Sequence, residues 1–113
     1  MGAARFSFST PTELYNLVNS GISDAALSIS GGDQTAILAN FGTSTVWPTL
    51  TQISTAENLT RNIYDGQMNT ARATKLPQNV AVVNAAWDGL CGFECLFDVA
   101  RKTVIRAANN EGV

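Results

Sequence analysis

A chain of 113 residues holds one modest hydrophobic core and no more than one domain. Hydrophobic residues make up 45%, which excludes disorder by composition. Charged residues make up only 14%, against about 25% in soluble domains, and this deficit predicts a surface largely covered by other copies of the chain. There is no histidine, which removes Ser-His-Asp and Cys-His catalysis, histidine metal sites and histidine pH switches. A net charge of −2 and a pI near 4.8 exclude a strongly basic nucleic-acid binder, while leaving room for a few phosphate contacts per copy.

In chain order, residues 1–9 read as a loose N-terminal arm. Thr10-Pro11-Thr12-Glu13 then opens a helix: Thr10 is the N-cap, Pro11 fits the first helical position and Glu13 completes a capping box. Leu14, Leu17 and Val18 form its apolar stripe, and Gly21 ends or bends it. Residues 22–32 fit helix or loop equally, and Gly31-Gly32 marks a break. Asp33 reads as the next N-cap, with Ala36, Ile37, Asn40 and Phe41 following at helical spacing. Gly42 and the β-branched run from Thr43 to Val46 weaken that helix, and Trp47-Pro48 stops it.

Ser54-Thr55-Ala56-Glu57 matches the Ser-x-x-Glu capping box, which predicts a third helix opening there and running to about Ala73. Arg61 and Asp65 are spaced i,i+4 on it as a charge pair. Leu76-Pro77-Gln78-Asn79 reads as a turn. From Val80 to Ala108 a proline-free stripe follows: Val80, Val83, Trp87, Leu90, Phe93, Phe97, Ala100, Val104 and Ala107, widened by Leu96 and Val99. This predicts one helix of roughly 43 Å, in which Gly89 and Gly92 permit close approach of a neighbouring backbone. The expected architecture is all-α: an antiparallel bundle of about four helices, ending in one long helix, in a single domain over 1–113. Phe41, Trp47 and Trp87 are its aromatic anchors, in the core or at an interface.

Few residues suggest chemistry. Cys91 and Cys95 lie four apart on one helix, a poor geometry for a disulfide, and two thiols alone do not make a metal site. No catalytic motif, cofactor or metal site is expected, and no enzyme activity or small-molecule substrate. Met1 to Phe6 lacks the apolar core of a signal peptide. The uncharged stretch from Gln34 to Ala56 is too rich in Thr, Ser, Asn and Gln to span a membrane, so no membrane partner is expected. Glu94 and Asp98 share one helix face at i,i+4; they read as a solvated face neutralised by Arg101 and Lys102, or as a cation- or proton-linked site. Arg72 and Lys75 flank the turn into the long helix, where free backbone N–H groups also favour phosphate. With Gln78 and Asn79 as neutral partners they are the candidate RNA-binding residues. Arg101, Lys102 and Arg106 complement the dipole at the far end of that helix.

The order of these elements resembles the coat proteins of rod-shaped plant viruses, the tobamovirus-like family. Phe6-Ser7-Phe8-Ser9-Thr10-Pro11-Thr12-Glu13-Leu14 is similar to the family's short arm, Thr-Pro and first helix. Gln34-Thr35-Ala36 with Phe41 and Trp47-Pro48 resembles the end of its second helix. The terminal helix from Val80, preceded by a basic turn, resembles its last core helix. The chain is shorter than family members, its linker before the last helix is nearly absent, and the family's arginine-rich RNA loop is represented by Arg72 and Lys75 alone. The resemblance implies a viral structural protein: a helical capsid subunit that binds its own copies and single-stranded RNA, located in the virion after assembly in the host cytoplasm. In such a polymer Asp65, Asp88, Glu94 and Asp98 are the expected assembly carboxylates, because stacked copies bring like charges together. The competing expectation is a small helical partner-binding or regulatory domain acting as monomer or dimer.

Overall fold

In the computed structural model, residues 8–23, 31–74 and 79–109 are described. They form four helices and, among the described residues, no strand: α1 (Pro11–Ser23), α2 (Gly31–Phe41), α3 (Leu50–Thr74) and α4 (Asn79–Ala108). The predicted all-α class, the helix number and the long last helix are all present.

The α1 start follows the predicted cap. The Glu13 backbone N–H donates to Thr10 Oγ1 at 3.2 Å, while the Ser9 and Thr10 hydroxyls both donate to Glu13 Oε1 at 3.1 Å. The carboxylate thus serves two side-chain hydroxyls in the first turn, where the helix dipole also favours its charge. The helix runs through Gly21 to Ser23, so that glycine does not end it. Residues 24–30, within the ambiguous 22–32 stretch, lie outside the described residues.

Three predicted boundaries are corrected. The α2 helix begins at Gly31, so Asp33 is not the N-cap but sits in the first turn, still at the positive end of the dipole. It ends at Phe41, because Gly42 adopts φ 118°, which L side chains rarely reach; the Gly42 N–H closes the helix onto the Leu38 carbonyl at 3.2 Å. Trp47-Pro48 therefore terminates nothing. The α3 helix opens at Leu50, not at Ser54. Thr49 and Gln52 make a reciprocal box: the Thr49 N–H donates to Gln52 Oε1 at 2.8 Å and the Gln52 N–H to Thr49 Oγ1 at 3.0 Å. The Ser/Thr-x-x-Glu/Gln signature occurs twice in this stretch. The earlier copy prevails because it follows the buried Pro48 and adds the turn that buries Ile53 completely.

The α3 and α4 helices pack antiparallel along most of their length. Tyr64 meets Phe93, Arg61 meets Glu94 and Glu57 meets Arg101, so partners on α4 advance as those on α3 recede. The α2 helix lies on α3, and the short α1 touches α2 and α4; the Thr12 hydroxyl donates to the Ser44 carbonyl at 2.8 Å and ties the start of α1 to the α2–α3 connection. The core is a continuous cluster of Leu14, Val18, Ile37, Phe41, Ile53, Ala56, Tyr64, Met68, Ala86, Leu90, Phe93, Leu96, Phe97 and Ala100. Phe41, Phe97 and Phe93 form a ring contact chain at 6.3 and 6.0 Å. Thr60, fully buried, is satisfied by donating to the Ala56 carbonyl at 2.8 Å. The molecule extends 51 × 28 × 19 Å, its long dimension set by α4, about 45 Å of continuous helix.

Candidate functional site

The α4 face turned away from the bundle is where the structure departs most from an ordinary buried stripe. Val80 is 64% exposed, Trp87 58% and Ile105 46%. Trp87 was expected in the core or at an interface; Ala86 and Leu90 take the core positions beside it, and the indole stands outside the core. Phe41 does anchor the core, and Trp47 packs half-buried against it, with its ring 6.3 Å from that of Phe8. The same helix is long and apolar enough to cross a membrane by length and composition, with 33% of its most apolar window buried in the bundle. Asp88, Glu94, Asp98, Arg101, Lys102 and Arg106 distribute charge along it.

Beside this face, α3 and α4 are joined by an ion-pair ladder. Arg61 Nη2 donates to Glu94 Oε1 at 2.8 Å and lies 3.5 Å from Glu57 Oε2. Arg101 pairs with Glu57 and, at 3.0 Å, with Asp98. Arg61 therefore reaches across to α4 and back one turn to Glu57; the expected i,i+4 partner Asp65 stays exposed on α3. Glu57, read from sequence as a capping residue, is instead the hub of the ladder. Burial raises its pKa, but hydrogen bonds with Glu94 and Arg101 and the charges of both arginines outweigh this and hold it below 4.5. Glu94 moves the opposite way: burial and its hydrogen bond to Glu57 raise its pKa above 4.5 against the pull of Arg61. Two carboxyls in contact do not ionise independently, so the proton that remains longest sits on Glu94.

The predicted assembly carboxylates thus divide. Asp65 and Asp88 are exposed and Glu94 and Asp98 are on the ladder, where each holds an arginine of the same chain. The expected neutralisation of Asp98 by Arg101 is present; that of Glu94 comes from Arg61 on the other helix. Among the described residues, no three Cys, Asp or Glu side chains are grouped so as to hold a metal ion. Cys91 and Cys95 form no disulfide with each other.

Of the predicted RNA-binding residues, Arg72 stands exposed in the last turn of α3, its guanidinium 3.5 Å from Asn69 Oδ1 and 4.0 Å from Met68 Sδ. Asn79 is the first residue of α4; its side chain, and Lys75 and Gln78 altogether, lie outside the described residues. The backbone places Arg72 at the end of the molecule where α4 begins, with its free N–H groups.

Sequence reasoning missed one further feature. Tyr64 is fully buried with no hydrogen-bond partner for its hydroxyl, and burial raises its pKa. Its ring lies over Gly89, where an added Cβ would stand 2.9 Å from the hydroxyl oxygen and 3.1 Å from ring carbons. Gly89 was expected to admit a neighbouring backbone; what it admits is this ring. Only the α3–α4 register brings the two together, and no local signal reveals it. Compared with protein-family models, curated proteins and solved structures, the chain matches none.

Proposed function

We propose that this chain is a structural subunit that assembles with its own copies into a helical rod or filament, as the coat proteins it resembles do around single-stranded RNA. The observation that carries this reading is the exposed apolar surface: Val46, Leu50, Val80, Trp87 and Ile105 stand outside a core that is complete without them. Combined with a charged fraction of 14%, such a surface favours contact with further copies over dispersal in water. Contacts between two different patches of one subunit do not close on themselves and propagate as a filament.

RNA, on this reading, meets the end of the molecule where α3 finishes and α4 starts. Arg72 and Lys75 neutralise phosphate, Gln78 and Asn79 donate neutral hydrogen bonds, and the α4 N-terminus adds its dipole. Each copy contributes weakly and the polymer accumulates affinity. Sedimentation of purified protein with negative-stain microscopy tests assembly: rods or filaments are expected, and a monomer at high concentration from about pH 5 to 8 overturns the reading. Changing both Arg72 and Lys75 to alanine is expected to abolish RNA packaging and leave empty polymers intact, and undiminished packaging moves the RNA site elsewhere.

A further inference from the structure

Trp87 and Ile105 lie eighteen positions apart on one uninterrupted helix, five turns at about 3.6 residues each, so their side chains leave α4 in the same direction, about 27 Å apart along its axis. Val80, Val83, Cys91, Glu94, Asp98 and Arg101 project within about 40° of that direction. One straight stripe therefore carries an indole near one end, an isoleucine near the other and, between them, two carboxylates with Arg101 at the margin. The flanking charges are arranged by the same arithmetic. Asp88 and Arg106 are also eighteen positions apart, on the same edge of the stripe but about 27 Å apart along it, with Lys102 one turn before Arg106. The acidic end is the one with the indole and the basic end is the one with the isoleucine.

A stripe with this pattern is complementary to itself when reversed. We propose that the outer face of α4 is an isologous contact through which two copies of this chain pair antiparallel, Trp87 of one copy seated on Ile105 of the other. A two-fold axis perpendicular to the helices, crossing at the level of residue 96, brings this about twice. The same operation sets Asp88 of each copy within about 3 Å, measured along the axis, of the level of Arg106 in its partner. At the centre, Glu94 of one copy faces Asp98 of the other. Like charges there oppose pairing, and Arg61 on Glu94 and Arg101 on Asp98 within each copy offset part of that repulsion, since both arginines also serve Glu57. A parallel pairing of the same faces would instead set indole on indole and leave Asp88 about 27 Å along the axis from the level of Arg106 in the partner.

This contact is closed: it yields a dimer and does not itself propagate, and because it takes up Val80, Trp87 and Ile105, a filament needs another face, such as the one that carries Val46 and Leu50. The experiment is sedimentation velocity of the full chain below the concentration at which any polymer forms. The unaltered chain is expected to show a concentration-dependent dimer, and Trp87→Glu to remain monomeric with unchanged circular dichroism, because the indole lies outside the core. Asp88→Arg and Arg106→Asp are each expected to weaken the dimer about tenfold, since each breaks both symmetry-related pairs. Combined, they restore it to within a few-fold. Within one copy the two positions are too far apart to touch, so restoration reports contact between copies, and only the antiparallel arrangement gives it. A dimer untouched by Trp87→Glu overturns the proposal. So does a double variant no better than its single parents, or an unaltered chain that stays monomeric while floating with phosphatidylcholine vesicles, which would give the α4 face to a membrane. Filaments that persist in Trp87→Glu leave the structural-subunit reading intact without the dimer; a dimer without filaments does the reverse.

Discussion

The two ends of the α3–α4 hairpin carry similar sequence patterns and meet different fates. Around Phe97, α2 lays Phe41 against α4, and Ile37, Leu14 and Val18 complete a closed core. Toward residue 80 the pattern on α4 continues, yet Val80 and Trp87 are exposed, because they leave α4 on the same outer face as Ile105 while Ala86 and Leu90 take the buried positions beside them. Periodicity marks which residues are able to be buried; whether they are buried depends on what lies across from them.

The sharpest test of that contrast is truncation on either side. Phe97→Ala removes a fully buried ring from the covered half and is expected to cost about 3–5 kcal/mol, read as a shift in urea midpoint. Trp87→Ala removes a larger side chain from the outer face and should change the stability of the isolated monomer by less than about 0.5 kcal/mol. Comparable losses at the two sites would mean that another element covers Trp87.

Next in size stands the ladder joining the helices. Glu57→Gln leaves Arg101 without its hub partner in a largely buried position and is expected to cost about 1–3 kcal/mol. The pH dependence follows from two opposed shifts. Glu57, held below 4.5, contributes stability that is present above about 4.5 and lost as pH falls through its folded value. Glu94, raised above 4.5, contributes stability present below about 4.5 and lost as pH rises through its folded value. Stability should therefore pass through a shallow maximum near pH 4.5, with the acid-side decline flattened in Glu57→Gln. Urea titrations at intervals from about pH 3 to 7 resolve this; identical profiles for the two proteins would remove Glu57 from the role of hub.

A smaller effect is expected at Tyr64, and it has the opposite sign. Tyr64→Phe deletes a buried hydroxyl without a partner and should stabilise by about 1 kcal/mol. Gly89→Ala brings a methyl group against that ring and should destabilise by about 1–2 kcal/mol despite the better helix propensity of alanine. Made in the Tyr64→Phe background it should cost less, since the nearest atom is then gone. A double-mutant cycle measures this coupling, and strict additivity would show that the ring moves aside freely.

What was legible in the sequence follows from the range of each signal. The four helices were readable because stripes such as Leu14–Val18 and Leu90–Ala100 and the Thr10–Glu13 cap are local. Boundaries failed where two local signals competed: Thr49–Gln52 and Ser54–Glu57 both satisfy the capping rule, and only the burial of Ile53 and the diversion of Glu57 to Arg101 decide between them. The candidate site was least legible. Arg61 had acidic residues four positions away on both sides, Glu57 and Asp65, and its choice depended on Glu94, thirty-three positions further along the chain. Tyr64 over Gly89 is likewise a matter of register between helices, invisible to any window of sequence.

The placement of the two tryptophans gives the molecule a built-in optical gauge. Trp47 is sheltered beside Phe8 and the core, while Trp87 stands in water on the α4 face. A neutral quencher such as acrylamide should extinguish the red-shifted emission of Trp87 first and spare Trp47 until the chain unfolds. Contact between molecules through the α4 face would then appear as a blue shift and a loss of quenching confined to one fluorophore, whereas unfolding would expose both. The unlabelled protein thus distinguishes association from denaturation by colour alone.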